Sequence, residues 1–167
     1  MKRFAVLGST CVALTIFAVA VIAQDQGGGR AGTAADKPPK LNSPAIELTR
    51  AYVKGMEAGK LDGLNELFLP KERSSVLENA SDEGSWEHYR DHHLAPEMKE
   101  APDFKFTIEK EAEDRFGSTS VVRQLGNFTV TVNGVARSFK SAVTYVIIEE
   151  AGKPKIAHLH WSSRERK

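Results

Sequence analysis

The feature that most constrains this chain is a change of hydrophobic period at Pro102. Beyond it Phe104, Phe106 and Ile108 alternate, as do Val121, Arg123 and Leu125, with Phe128, Val130 and Val132 continuing the period. A two-residue period is that of a strand with one covered face. Asn133-Gly134 is the strongest turn signal present, because both residues tolerate the positive φ of a two-residue hairpin. It joins the strand ending at Val132 to a long one from Arg137 to Glu150. Ala151-Gly152-Lys153-Pro154 then turns the chain into a last strand, Ile156 to Arg164. Four strands in a meander follow.

Upstream of Pro102 the spacing is helical. Ser43 followed by Pro44 is a cap with proline at the first helical position, and Ile46, Ala51, Tyr52, Val53 and Met56 form an apolar stripe that runs out at Gly59. A short helix spans Leu61 to Leu69 and ends at Pro70. Ser74 to Asn79 reads as a short strand, and Ser85 opens a third helix that runs to Leu94 and is stopped by Pro96. Helices followed by strands favour an α+β domain, with helices over one face of a curved antiparallel sheet.

The N-terminal stretch carries an address. Lys2 and Arg3 precede an uncharged apolar run from Phe4 to Ile22, and Val21-Ile22-Ala23 suits a signal peptidase, so residues 1–23 read as a cleaved signal peptide. The mature protein is then expected in the periplasm or secreted, with no stable membrane insertion. Residues 24–43, with Gly27-Gly28-Gly29 and Pro38-Pro39, read as a flexible linker, and 44–167 as one domain.

Cleavage after Ala23 removes Cys11, the one cysteine, which excludes a disulfide or thiolate chemistry in the mature chain. It leaves 21 basic against 22 acidic residues, a formal charge of −1, with no field that would draw the protein to nucleic acid.

All five histidines and both tryptophans lie in two segments, Trp86 to Leu94 and Lys155 to Arg164. His158 and His160 are two apart on a strand and share a face with Ile156 and Ser162. They are open to three readings: structural histidines, pocket lining, or metal ligands. Trp86, Tyr89 and His93 recur at helical spacing on a face turned to the sheet, where Trp86 and Tyr89 read as core aromatics or pocket lining and His93 falls at the cavity edge. His88 and His92 are four apart on another stripe. If His92 or His93 approached His158 and His160, three or four imidazoles could hold copper or zinc.

Taken in order, the helix Trp86-x-x-Tyr89 leading to Leu94, the strand Ser141-Ala142-Val143-Thr144-Tyr145-Val146 and the closing His158-Leu159-His160-Trp161-Ser162 resemble the nuclear transport factor 2-like superfamily. Among its members the SnoaL-like proteins and the association domain of calcium/calmodulin-dependent protein kinase II are the nearest echoes. The resemblance implies a cone: a curved antiparallel sheet with the N-terminal helices packed over its concave face, a central cavity, and a homodimer through the outer face. It implies a ligand site that Trp86, Tyr89, His93, Tyr145, His158 and His160 would line. Such cavities host isomerases, dehydratases, cyclases and plain binding modules, so three functions are expected in turn: small-molecule binding, a SnoaL-like isomerase or lyase using His158, His160 and Tyr145, and a periplasmic metal-binding module using the histidines. No cofactor is implied. Relatives that isomerise ketosteroids use an Asp base with a Tyr donor. Tyr145 and Tyr89 could donate here, but no Asp lies between Val121 and Arg164, and Asp103 and Asp114 sit at strand ends.

Overall fold

The computed structural model describes residues 42–166; the expected signal peptide, nearly all of the linker, and Lys167 lie outside them. Helix α1 (Pro44–Glu57) starts as its sequence dictates: the Ser43 hydroxyl accepts the Ile46 N–H at 3.1 Å, with Pro44 at the first helical position. Its buried face is Ala45, Ile46, Thr49, Tyr52, Val53 and Met56, and Ala51 faces solvent. The expected second short helix is a seven-residue 3₁₀ helix (Leu61–Leu67). A short 3₁₀ turn (Lys71–Arg73) then leads to β1 (Ser75–Glu78) and β2 (Ser81–Gly84).

Strand β2 was not legible, because Ser81-Asp82-Glu83-Gly84 has no apolar residue and holds its place through backbone pairing with β1. The β1–β2 turn puts Asn79 and Ala80 at φ 46° and 72°. Asn79 also ties the end of β1 to the last strand, its N–H donating to Trp161 and its Oδ1 accepting the Ser163 N–H.

The third helical stretch begins at Ser85, as read, but passes through Pro96. Helix α2 (Trp86–Tyr89) widens into a π turn (Arg90–Leu94) and resumes as α3 (Ala95–Glu100). Ala95 donates five residues back, to the Arg90 carbonyl, and Pro96 follows where the ladder returns to its normal register. A proline, which has no N–H and crowds the carbonyl four residues back, is tolerated where the turn is already wide.

The rest is sheet: β3 (Lys105–Phe116), β4 (Thr119–Val132), β5 (Val135–Glu150) and β6 (Lys153–Glu165). Strand order is β2-β1-β6-β5-β4-β3, antiparallel throughout except that β1 lies parallel to β6, with Ser75 beside His158 and Glu78 beside Trp161. The expected antiparallel sheet is thus mixed at one pair. Asn133 and Gly134 take φ 52° and 75°, the hairpin geometry that their identities demand.

Helix α1 packs on β3, β4 and β6, so the inner face of the sheet and the helices share one core. In β4 the residues turned inward are Ser120, Val122, Gln124, Gly126 and Val130; Leu125 is 43% exposed on the other face. Gly126 is required by close approach, since a Cβ there would lie 2.2 Å from the Thr107 carbonyl oxygen.

Candidate functional site

The inner face divides into a closed end and an open end. At the closed end Trp86 and Phe68 stack with ring centroids 4.2 Å apart, and Tyr52 meets Phe68, Trp86 and Tyr145 edge-on at 5.7 to 5.9 Å. The Tyr145 hydroxyl donates to Gln124 Oε1, and Gln124 Nε2 donates to Thr49 Oγ1 and Glu111 Oε1, at 3.1, 3.1 and 2.7 Å. Arg50 of α1 pairs with the other Glu111 oxygen at 2.6 Å. This chain of polar contacts binds α1 to three strands. Trp86 and Tyr145, expected to line a site, are core residues with no exposure. Burial pushes the Tyr145 phenol far up, helped by the Glu111 charge. Among the described residues the buried Tyr52 hydroxyl has no hydrogen-bond partner.

At the open end, between the sheet and α3, lies a cavity of about 290 Å³. Much of its lining is aromatic: Phe104, Phe128, Phe139 and Trp161 contribute, with Phe128 stacked on Phe139 at 4.6 Å and Trp161 6.1 Å from Phe128. Leu94, Met98 and Met56 close the helical side. The polar lining is Glu78 and Asn79 at the end of β1, Ser163 of β6, Tyr89 from α2, and Glu97 and Glu100 from α3.

Glu78 is the centre of that polar lining. Tyr89, itself 3% exposed, donates its hydroxyl to Glu78 Oε2 at 2.6 Å. His93, carried toward it by the π turn, stands with Nε2 3.7 Å from Glu78 and 3.2 Å from Glu97, while Nδ1 is 3.0 Å from Glu83. Burial raises the Glu78 carboxyl pKa, with the Glu97 and Glu83 charges adding to it and the Tyr89 bond and His93 opposing. Burial lowers the His93 pKa, but the Glu83 bond and the surrounding carboxylates outweigh it, and the net direction is up. One imidazole is thus shared by three carboxylates. Glu78, His93 and Glu97 each present a ligand atom within 4.8 Å of the others, so these three are the described residues that could hold a metal ion.

Of the residues singled out in the sequence, the structure brings Tyr89 and His93 to this site. His158 and His160 lie on the opposite face of the sheet. The register of β5 and β6 shifts between Val146 and Ile147, which pair with His158 and Ile156, so Ala157 is an extra residue and Ile156 no longer shares a face with His158. Leu159 and Trp161 take the inner face. His158 Nδ1 instead meets Ser75 Oγ at 2.8 Å, and burial, with His160 nearby, lowers its pKa. His92 is exposed beside His88, ring centroids 4.6 Å apart. The four histidines considered as a metal set therefore do not converge.

Glu78, Glu97, Phe104, Phe128 and Phe139 escaped the sequence reading as site residues. Glu78 reads as one more polar residue in a short strand, and the aromatic residues read as core, which the inner face of a sheet makes indistinguishable from a cavity wall. Asp103 is a fastener, accepting both the N–H and the hydroxyl of Thr131, and Asp114 pairs with Arg123.

No protein-family model matches the chain, and no curated protein does. Solved structures do. A nuclear transport factor 2-like superfamily protein from Salmonella enterica superposes with a TM-score of 0.65 at 16% identity, covering 72% of this chain and 89% of that one. A candidate ketosteroid isomerase from Shewanella frigidimarina gives 0.63 at 19% identity, over 73% and 97%. A candidate calcium/calmodulin-dependent protein kinase II association domain from Xanthomonas campestris gives 0.61 at 17%, over 76% and 94%. The helices over a six-stranded mixed sheet, and these superpositions, show that the chain has the fold of the nuclear transport factor 2-like superfamily.

Proposed function

We propose that this protein binds a small, largely apolar molecule in the cavity between the sheet and α3, with Glu78 as its buried polar anchor. The observation that carries the reading is the lining itself: four aromatic rings share one cavity with a carboxylate already oriented by the Tyr89 hydroxyl. Concave, mostly apolar sites with a few convergent polar groups are what small-molecule recognition uses. Calorimetric titration with neutral one- and two-ring molecules tests it. Saturable binding that Met98→Trp abolishes by filling the mouth is expected; binding indifferent to that change contradicts it.

A second reading is proton transfer, favoured by the place of the Glu78 carboxyl in the cavity lining, where the Tyr89 hydroxyl orients it and burial raises its pKa. Glu78 would take a proton from a carbon next to a carbonyl, the electron pair moving onto the carbonyl oxygen, and return it at another carbon. The name of the Shewanella relative, a candidate ketosteroid isomerase, is in keeping with it. Deuterium exchange into a bound ketone, lost in Glu78→Gln, is the expected result; exchange that survives the substitution removes Glu78 as the base.

Two expectations from the sequence join this proposal. Export rests on the apolar run Phe4 to Ile22 behind Lys2 and Arg3. Homodimerisation rests on the outer face of the sheet, where Leu125 is exposed beside Ala142 and Thr144.

A further inference from the structure

The charge of the cavity narrows what it can hold. Three carboxylates line it, Glu78 from β1 and Glu97 and Glu100 from α3, and among the described residues no lysine or arginine lines it. Glu83 adds a fourth carboxylate behind His93. Even a fully protonated His93 compensates only one of these charges. The same cavity is lined by the rings of Phe104, Phe128, Phe139 and Trp161, Trp161 being the strand neighbour of Glu78. An aromatic face attracts a cation through its quadrupole, and a carboxylate attracts it by charge; together they repel an anion. Neither the volume nor the fold makes this choice: the chemistry of the lining residues does.

We infer that the cavity selects an apolar molecule bearing a positively charged nitrogen, the ring or chain lying against Phe128 and Trp161 and the ammonium facing Glu78 and Glu97. The inference rests on the cavity being the binding site and adds the ligand class. A cation in the cavity beside Glu78 and Glu97 opposes the burial and the neighbouring carboxylate charges that raise the Glu78 carboxyl, and its hydrophobic body is covered by the aromatic rings. A matched carboxylate gains the same apolar contact and loses the charge contact.

Three probes with one benzyl group in common separate the terms: benzyltrimethylammonium, the uncharged neopentylbenzene of the same shape, and phenylacetate. Calorimetry on the full chain is expected to give the ammonium an affinity about tenfold or more above neopentylbenzene, with phenylacetate weakest. Glu97→Gln combined with Glu100→Gln, both at the exposed rim, should bring the ammonium toward the neutral compound. Equal affinity for the ammonium and neopentylbenzene overturns the inference and leaves cavity binding standing. No binding of any of the three, in a protein that circular dichroism shows folded, overturns the binding reading itself. Saturable binding of zinc or manganese alone that Glu97→Gln abolishes would assign the carboxylates to a metal ion and overturn the ammonium.

Discussion

The Tyr89 hydroxyl and the Glu78 carboxylate meet at 2.6 Å at the end of β1, where both are largely shielded from water. The bond is directional: the phenol donates, and the Glu78 oxygen that accepts is the one nearest His93. Tyr89→Phe leaves that oxygen short of a donor and is expected to cost about 1–3 kcal/mol. Tyr52→Phe removes a buried hydroxyl that has no partner and should be neutral or stabilising. Urea denaturation of both variants checks the contrast; equal losses would mean that the Tyr89 bond contributes nothing of its own.

The pH dependence has a definite sign. Glu78 and His93 both have folded pKa values raised above their ordinary values of 4.5 and 6.5. A raised pKa means that the folded state holds the proton more tightly, so the stability each contributes is complete below the ordinary value and is lost as pH rises through the folded one. Glu78→Gln should therefore gain stability relative to the native chain as pH climbs above about 4.5 and should show no such gain below it. Thermal melts of the pair from pH 3.5 to 8 measure this; a gap that widens on acidification contradicts the burial of Glu78.

Gly126 sits opposite Ile108, next to the register shift in β3. A methyl group there meets the Thr107 carbonyl oxygen, which is backbone and cannot rotate away. Gly126→Ala is expected to cost about 1–3 kcal/mol by overpacking, read from denaturant midpoints. A loss below about 0.5 kcal/mol, the range of ordinary surface changes, would show that β3 moves freely.

Much of the fold was legible because its signals are local. The Ser43-Pro44 cap, the Asn133-Gly134 hairpin and the change of period at Pro102 each act within a few residues. What escaped reading depends on distant pairing or on one inserted residue. β2 has no hydrophobic pattern, so only its partner reveals it. Pro96 is a helix stop unless a π turn precedes it. At Ala157 the bulge reverses which side chains face inward, so the expected His158 and His160 face the outside and Trp161 the cavity. Glu78 became a site residue through its parallel neighbour Trp161 and through Tyr89, eleven positions away, a relationship that spacing does not express.

Export and assembly are open to one preparation. Expressed in an exporting bacterial host, the protein should be recovered from the periplasm beginning at Gln24, with intact mass showing loss of residues 1–23. Sedimentation of that material should give twice the monomer mass, and Leu125→Glu on the outer face should reduce it to the monomer. An uncleaved chain would remove the signal peptide; a monomer at micromolar concentration would remove the dimer.

The cavity itself is tested most directly by nuclear magnetic resonance on the isotopically labelled full chain, titrated with benzyltrimethylammonium and with neopentylbenzene. The account predicts shifts concentrated at Glu78, Tyr89, Met98, Phe128 and Trp161, with the His158 and His160 signals unmoved. Shifts centred on His158 and His160 and absent from Trp161 would place the binding surface on the opposite face of the sheet and contradict the account.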